Sequence, residues 1–189
     1  MKQRVSQSIA VKTAMLDDEK FWNRVQQVVD TMVDALSHGH RVLFCGNGGS
    51  AADAQHLAAE LSGRFYLDRT PLAAEALHCN SSFMTAVAND YGYDQVYARM
   101  VEASATEGDV LVGISTSGNS GNVLEAFKAA RRKNVTCIAL TGATGGAMKA
   151  MCDVLLNVPS SDTPRIQEAH ILVGHIICEQ VEARIFPSK

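Results

Sequence analysis

Val42-Leu43-Phe44-Cys45-Gly46-Asn47-Gly48-Gly49-Ser50 is the stretch on which the fold turns. The continuous apolar run at its start reads as a strand buried on both faces, as in a parallel sheet. A polar, glycine-rich loop follows at once, and the Ala-rich segment Ala51 to Leu61 reads as a helix. Val110 to Ile114 repeat the plan. An apolar strand leads into Ser115-Thr116-Ser117-Gly118-Asn119-Ser120, and a helix follows from Asn122 to Arg132. Working outward, Val135 to Leu140 and Val154 to Val158 are further strands, and Leu72 to Leu77 is a weaker one near an edge. Ser82 to Ala88 and Gln95 to Ala103 read as helices between them. Strands alternating with helices predict an α/β sandwich with a mostly parallel sheet covered on both faces.

Before the first strand the period changes. Phe21, Val25, Val28, Val29, Met32, Val33 and Leu36 recur at i, i+3/i+4, which is one face of a helix. An earlier helix covers Gln3 to Met15, with Asp17 and Asp18 as candidate caps for the second. The last helix runs from Pro164 to Ile185, with Thr163 as its expected N-cap. The chain has 189 residues, and with no Pro/Gly/Ser-rich linker it reads as a single domain over 1–189. Its helical segment 1–38 precedes the α/β part, 39–189.

Composition excludes several classes. Hydrophobic residues are 47% and prolines only 4, so the chain is not disordered. Lys plus Arg is 17 against 20 for Asp plus Glu, a net charge of −3, which argues against a nucleic-acid partner. The five cysteines are odd in number and form no C-x-x-C pair. Neither a disulfide framework nor a thiolate zinc cluster is expected, and four of them lie in apolar runs as small core residues. No apolar stretch is long enough to span a membrane, and Met1 to Leu16 is polar and mixed rather than a signal peptide. A cytoplasmic protein is the expectation.

Four features could carry chemistry. Ser115-Thr116-Ser117-Gly118-Asn119-Ser120 lies between a strand and a helix N-terminus, where backbone N–H groups and the helix dipole favour an anion. Its four hydroxyls exceed what a cap needs, and a phosphate monoester fits. Without a Walker lysine or a G-x-G-x-x-G pattern, it is neither a P-loop nor a dinucleotide site. Gly46-Asn47-Gly48-Gly49-Ser50 occupies the same position after the first strand, and Ser50 with Asp53 matches a capping pattern. The two loops predict two strand ends facing one crevice. His56 and Glu60 stand at i, i+4 on the helix launched by the first loop, suited to metal ligation or to base catalysis. Gln167, His170 and His175 lie on the last helix, and its spacing leaves open which histidine faces a site.

Together these residues resemble the sugar-isomerase (SIS) domain family. The resemblance rests on Val42 to His56, Glu60, Ala88-Asn89-Asp90-Tyr91-Gly92, Gly108 to Leu111, Gly113 to Ser120, Leu140-Thr141-Gly142 and Arg165 to Glu168 with His170 and His175. It covers nearly the whole chain and is nearest to the members that isomerise seven-carbon sugar phosphates. It implies a flavodoxin-like three-layer sandwich with a five-stranded parallel sheet and N-terminal helices used in oligomer packing. It implies a homotetramer with active sites at subunit interfaces.

The implied reaction converts sedoheptulose 7-phosphate into D-glycero-D-manno-heptose 7-phosphate through an enediol, toward the heptose of lipopolysaccharide. On the matched positions Ser115, Thr116, Ser117 and Ser120 hold the phosphate, while Asn47, Gly48, Gly49, Ser50, Asn89 and Asp90 contact the sugar. His56, Glu60, Gln167 and His175 match the family zinc site, one Zn2+ per subunit, with Glu60 and Gln167 also meeting substrate. The resemblance thus selects His175 over His170. Glu60 is expected as the base between carbons and His175 as the acid/base on the oxygen side. Pro164 departs from members that carry Asp there, with Asp162 the candidate replacement. Some relatives with this domain instead bind the bacterial replication initiator without catalysis. That group lacks the Glu and the second His, both present here.

Overall fold

The computed structural model describes residues 1–187. Two helices, α1 (Lys2–Leu16) and α2 (Glu19–Ser37), precede β1 (Val42–Gly46) and α3 (Gly49–Ser62). Then come β2 (Ala74–Ala76), α4 (Ser81–Tyr91), α5 (Val96–Ser104), β3 (Val110–Ser115) and α6 (Gly121–Arg132). β4 (Thr136–Thr141), β5 (Val154–Asn157) and α7 (Thr163–Ile185) complete the order. The strands form one parallel sheet in the order β2-β1-β3-β4-β5. This is the flavodoxin-like, five-stranded parallel arrangement that the family resemblance implies.

Alternation along the buried strands divides them between two cores. Val42, Phe44, Val112, Ile114, Ile138, Leu140 and Leu156 pack with Phe21, Val28, Leu57, Val173 and Ile177, so α2, α3 and α7 cover that face. Leu43, Cys45, Leu111, Cys137 and Ala139 pack with Val87, Tyr97, Val101, Val123 and Phe127 of α4, α5 and α6 on the other. Gly113 of β3 lets α6 approach, since a Cβ there would sit 2.7 Å from Phe127 and Val123. The N-terminal helices share the first core through Met15, Phe21, Val25, Val29 and Met32. On α1, however, Val5, Ile9 and Leu16 are exposed.

Several boundaries differ from the sequence reading. β2 is only three residues, Ala-Glu-Ala, because it is an edge strand paired on one side. Asp18 caps α2 by accepting from Phe21 N at 3.1 Å, whereas Asp17 closes α1. The N-cap of α7 is Asp162, not Thr163, and Pro164 sits inside the first turn, where its missing N–H has no helical partner in any case. Cys45, Cys137 and Cys178 are core residues, but Cys152 is half-buried and Cys79 exposed.

Candidate functional site

The strand order reverses between β1 and β3, and open parallel sheets bind ligands at such a reversal, beyond the strand C-termini. Both polar loops leave the sheet there. In the loop after β3, Ser115 is buried, and its Oγ lies 2.8 Å from Ser120 Oγ and 3.4 Å from Ser117 Oγ. Ser120 is the N-cap residue of α6, yet its side chain makes no capping bond. Its hydroxyl joins a hydroxyl cluster at a helix N-terminus, an arrangement suited to an anion such as a phosphate. Gly118 takes φ +67, and a Cβ there would fall 2.2 Å from the Gly145 carbonyl oxygen. Asn119 braces the loop, accepting from Ala147 N at 2.9 Å and donating its own N–H to Ser117 Oγ at 3.1 Å.

The loop after β1 is tied to this one. Asn47 and Asn122 exchange amide hydrogen bonds of 2.9 and 2.8 Å, and Tyr93 donates its hydroxyl to Asn47 Oδ1 at 3.2 Å. Asn122 is buried at the start of α6. Gly48, at φ +54, is the N-cap of α3. The expected Ser50–Asp53 cap is therefore absent. Ser50 is buried inside the first turn, and Asp53 Oδ2 is buried without a hydrogen-bond partner among the described residues, its carboxyl pushed up by burial. Asn89 donates to Asp90 Oδ1 at 2.8 Å in the last turn of α4, just before Tyr93.

α3 and α7 run side by side and bring together a second group. His56 Nε2 lies 3.0 Å from Glu60 Oε1 and 3.1 Å from His175 Nε2. Ligand atoms of the three residues all fall within 4.8 Å of one another, and two of the residues are half-buried. Gln167 is elsewhere. It lies eight residues before His175 on the same helix, roughly 12 Å along the axis at about 1.5 Å per residue. Its amide rests against Gly49, where a Cβ would meet Nε2 at 2.4 Å. His170 also points away, into the core. Its Nε2–H donates to the Thr141 carbonyl at 3.1 Å, its Nδ1 has no partner among the described residues, and burial pushes its pKa down to about 4.

The sequence reading missed one construction beside this group. Glu182, buried on α7, accepts from the backbone N–H groups of Phe65, Tyr66 and Leu67 at 3.0, 2.7 and 3.0 Å, and from Arg69 Nε at 3.0 Å. Burial alone would raise its carboxyl, but the N–H groups of Leu67, Tyr66 and Phe65 and the Arg69 guanidinium outweigh that and hold it below the usual range. Arg69 also donates to the carbonyls of Glu60 at 3.0 Å and Leu61 at 2.7 Å, the last turn of α3. The Phe65 ring comes within 6.0 Å of the His175 ring, centroid to centroid. A charged residue among the core positions Cys178 and Val181 of a helix was the available signal.

Comparison with known proteins shows what the chain as a whole is similar to. The SIS domain family matches residues 8–142. A phosphoheptose isomerase of Mycobacterium tuberculosis is 54% identical over 180 residues, 95% of this chain and 92% of that protein. A phosphoheptose isomerase of Aneurinibacillus thermoaerophilus is 47% identical over 189 residues, 100% of this chain and 96% of that protein. The solved structure of phosphoheptose isomerase from Neisseria gonorrhoeae superposes with a TM-score of 0.91 at 46% identity, covering 96% of each chain.

Proposed function

Because the chain belongs to the SIS domain family and groups there with the phosphoheptose isomerases, we propose that it is an aldose–ketose isomerase converting sedoheptulose 7-phosphate into D-glycero-D-manno-heptose 7-phosphate. The observation that carries the chemistry is the meeting of Glu60 and His175 at His56. The reaction moves one proton between C1 and C2 through an enediol. It needs a base near both carbons and a group that exchanges protons with both oxygens. Glu60 removes a C1 proton from the ketose and returns it to C2. His175 carries the proton from O1 to O2. The Ser115, Thr116, Ser117 and Ser120 hydroxyls, with the N-terminus of α6, hold the phosphate and set the register of the carbon chain. The heptose phosphate so formed is suited to supply lipopolysaccharide heptose.

His56, Glu60 and His175 fit a zinc ion: two imidazole nitrogens and one carboxylate oxygen converge, which leaves room for a substrate oxygen. Bound there, Zn2+ would polarise the substrate's O1 and O2 as a Lewis acid. A carboxylate held tightly on a cation is a weaker base, because the cation favours its ionised form. One oxygen of Glu60 faces His56, and we assign the other to the proton.

We read the site as one that a second copy of the chain completes. Gln167 and His175 stand roughly 12 Å apart along α7 at about 1.5 Å per residue, too far for one chain to bring both to a single ion, so Gln167 would complete the ligand set from a neighbouring copy. The exposed Val5, Ile9 and Leu16 of α1 are suited to such packing, in line with a homotetramer carrying one zinc per subunit.

The test is a coupled assay of metal-replete protein with sedoheptulose 7-phosphate, beside Glu60→Gln and His175→Gln. Turnover by the wild type that falls to background in both folded variants is expected. Near-normal turnover by either variant would refute its role. No turnover by the metal-bound wild-type oligomer would move the assignment to a protein-binding member that recognises the replication initiator.

A further inference from the structure

We infer that Arg69 and Glu182 are positioning residues for the His56–Glu60–His175 group, acting as a clasp that fixes α3 against α7. The inference rests on the isomerase reading above and extends it to residues outside the substrate and metal contacts.

The three converging side chains come from two helices. His56 and Glu60 ride on α3 and His175 on α7. Their mutual distances therefore depend on how far one helix slides or rotates past the other. A shift of about 1 Å in such a constellation is functionally large. What resists a shift at this end of the pair is ionic and buried. Arg69 and Glu182 form an ion pair of 3.0 Å, with side chains only 3% and 2% exposed.

Arg69 reaches the α3 side. Nη2 takes the carbonyl of Glu60 itself at 3.0 Å, and Nη1 takes those of Leu61 at 2.7 Å and Gly63 at 3.2 Å. These are end carbonyls of a helix, which lack helical donors and carry the negative end of the dipole, so a guanidinium suits them. Glu182 reaches from the α7 side. It sits seven residues beyond His175, two turns along the helix. It neutralises Arg69 and gathers three consecutive N–H groups of the intervening loop. That loop in turn sets the Phe65 ring beside His175. One carboxylate and one guanidinium thus bind the peptide group of the proposed base, the helix of its partner and the aromatic neighbour of the imidazole.

A buried ion pair adds little net stability on average but is costly to halve. Its use here is geometric. Groups hydrogen-bonded directly to metal ligands change metal affinity by about tenfold to a hundredfold when removed; Arg69 reaches Glu60 through its backbone carbonyl, so about tenfold is the scale expected here.

The experiment titrates Zn2+ alone into metal-free wild type, Glu182→Gln and Arg69→Lys. Folding is checked by circular dichroism, and steady-state kinetics are run on the zinc-loaded proteins. Glu182→Gln keeps the shape but not the charge. Arg69→Lys keeps the charge but cannot span the four carbonyls and one carboxylate that Arg69 meets. The expected result is a loss of about tenfold or more in Zn2+ affinity in both folded variants. A fall in kcat is expected with it, and KM for the sugar phosphate should stay within about threefold because the hydroxyl loop is untouched. Wild-type zinc affinity and kcat in a folded variant would overturn the inference. So would failure of both variants to fold at low temperature, which would assign the clasp to folding alone. A wild type that binds no zinc and turns over no substrate would instead overturn the isomerase reading, a distinguishable outcome.

Discussion

His170 makes the fold acid-labile by an amount the structure sets. The imidazole is buried under the C-terminal end of β4, donating through Nε2–H to the Thr141 carbonyl and leaving Nδ1 without a partner among the described residues. Burial lowers its pKa from 6.5 to about 4. Above pH 6.5 the ring is neutral in both the folded and the unfolded chain and contributes no pH dependence. As pH falls from 6.5 toward 4, the unfolded chain takes up a proton that the folded chain refuses, so stability declines with acid. At about 1.4 kcal/mol per unit of difference, the full loss approaches about 3 kcal/mol below pH 4, and about 2 kcal/mol of it is present at pH 5. The assay is urea unfolding at pH 8, 6.5, 5.5 and 5, at one fixed protomer concentration and with metal removed, so that neither mass action nor zinc enters. His170→Gln, which can still donate to Thr141, serves as the reference. Wild type should lose about 2 kcal/mol more than the variant between pH 8 and pH 5. Parallel pH profiles for the two proteins would refute the reasoning.

Gly118→Ala should raise KM for the sugar phosphate at least tenfold with little change in overall melting. The added Cβ cannot occupy the space of the Gly145 carbonyl, 2.2 Å away at φ +67, without displacing the hydroxyl loop. Asn122→Ala should cost about 1–3 kcal/mol in urea unfolding, because it leaves the Asn47 amide nitrogen without its acceptor and removes one of the two donors to its oxygen. Chelation should abolish turnover and Zn2+ should restore it, and activity that survives thorough chelation would remove the metal from the reaction.

The sheet was legible because its strands are buried on both faces and so read as unbroken apolar runs, Val42 to Cys45 and Val110 to Ile114 above all. β2 was overextended, because an edge strand of Ala-Glu-Ala carries almost no hydrophobic signal and Leu72 and Leu77 are buried without being strand residues. The two loops were legible as polar inserts between strand and helix. Their mutual tie was not, since Asn47 and Asn122 are 75 residues apart and nothing in either neighbourhood names the other. The i, i+4 pair His56 and Glu60 was visible from spacing. Spacing on α7 could not choose between His170 and His175, because both lie within reach of a broad helical face. The family resemblance made that choice, and His175 is the one found beside His56. Ser50 misled as a cap because Gly48, free to take φ +54, starts the helix earlier.

α3 and α7 are held at three levels: Gln167 against Gly49 at one end, Gly174 closed onto Leu57 in the middle, and the Arg69–Glu182 clasp at the other end. Rails fastened along their whole length do not wait for a cargo to align them. The fold itself therefore sets the His56–Glu60–His175 group, with no ligand needed to bring the two helices into line. On the proposed zinc-isomerase reading, subunits starved of zinc would stay folded, and a restored supply would return them to use on the timescale of ion binding, without new synthesis.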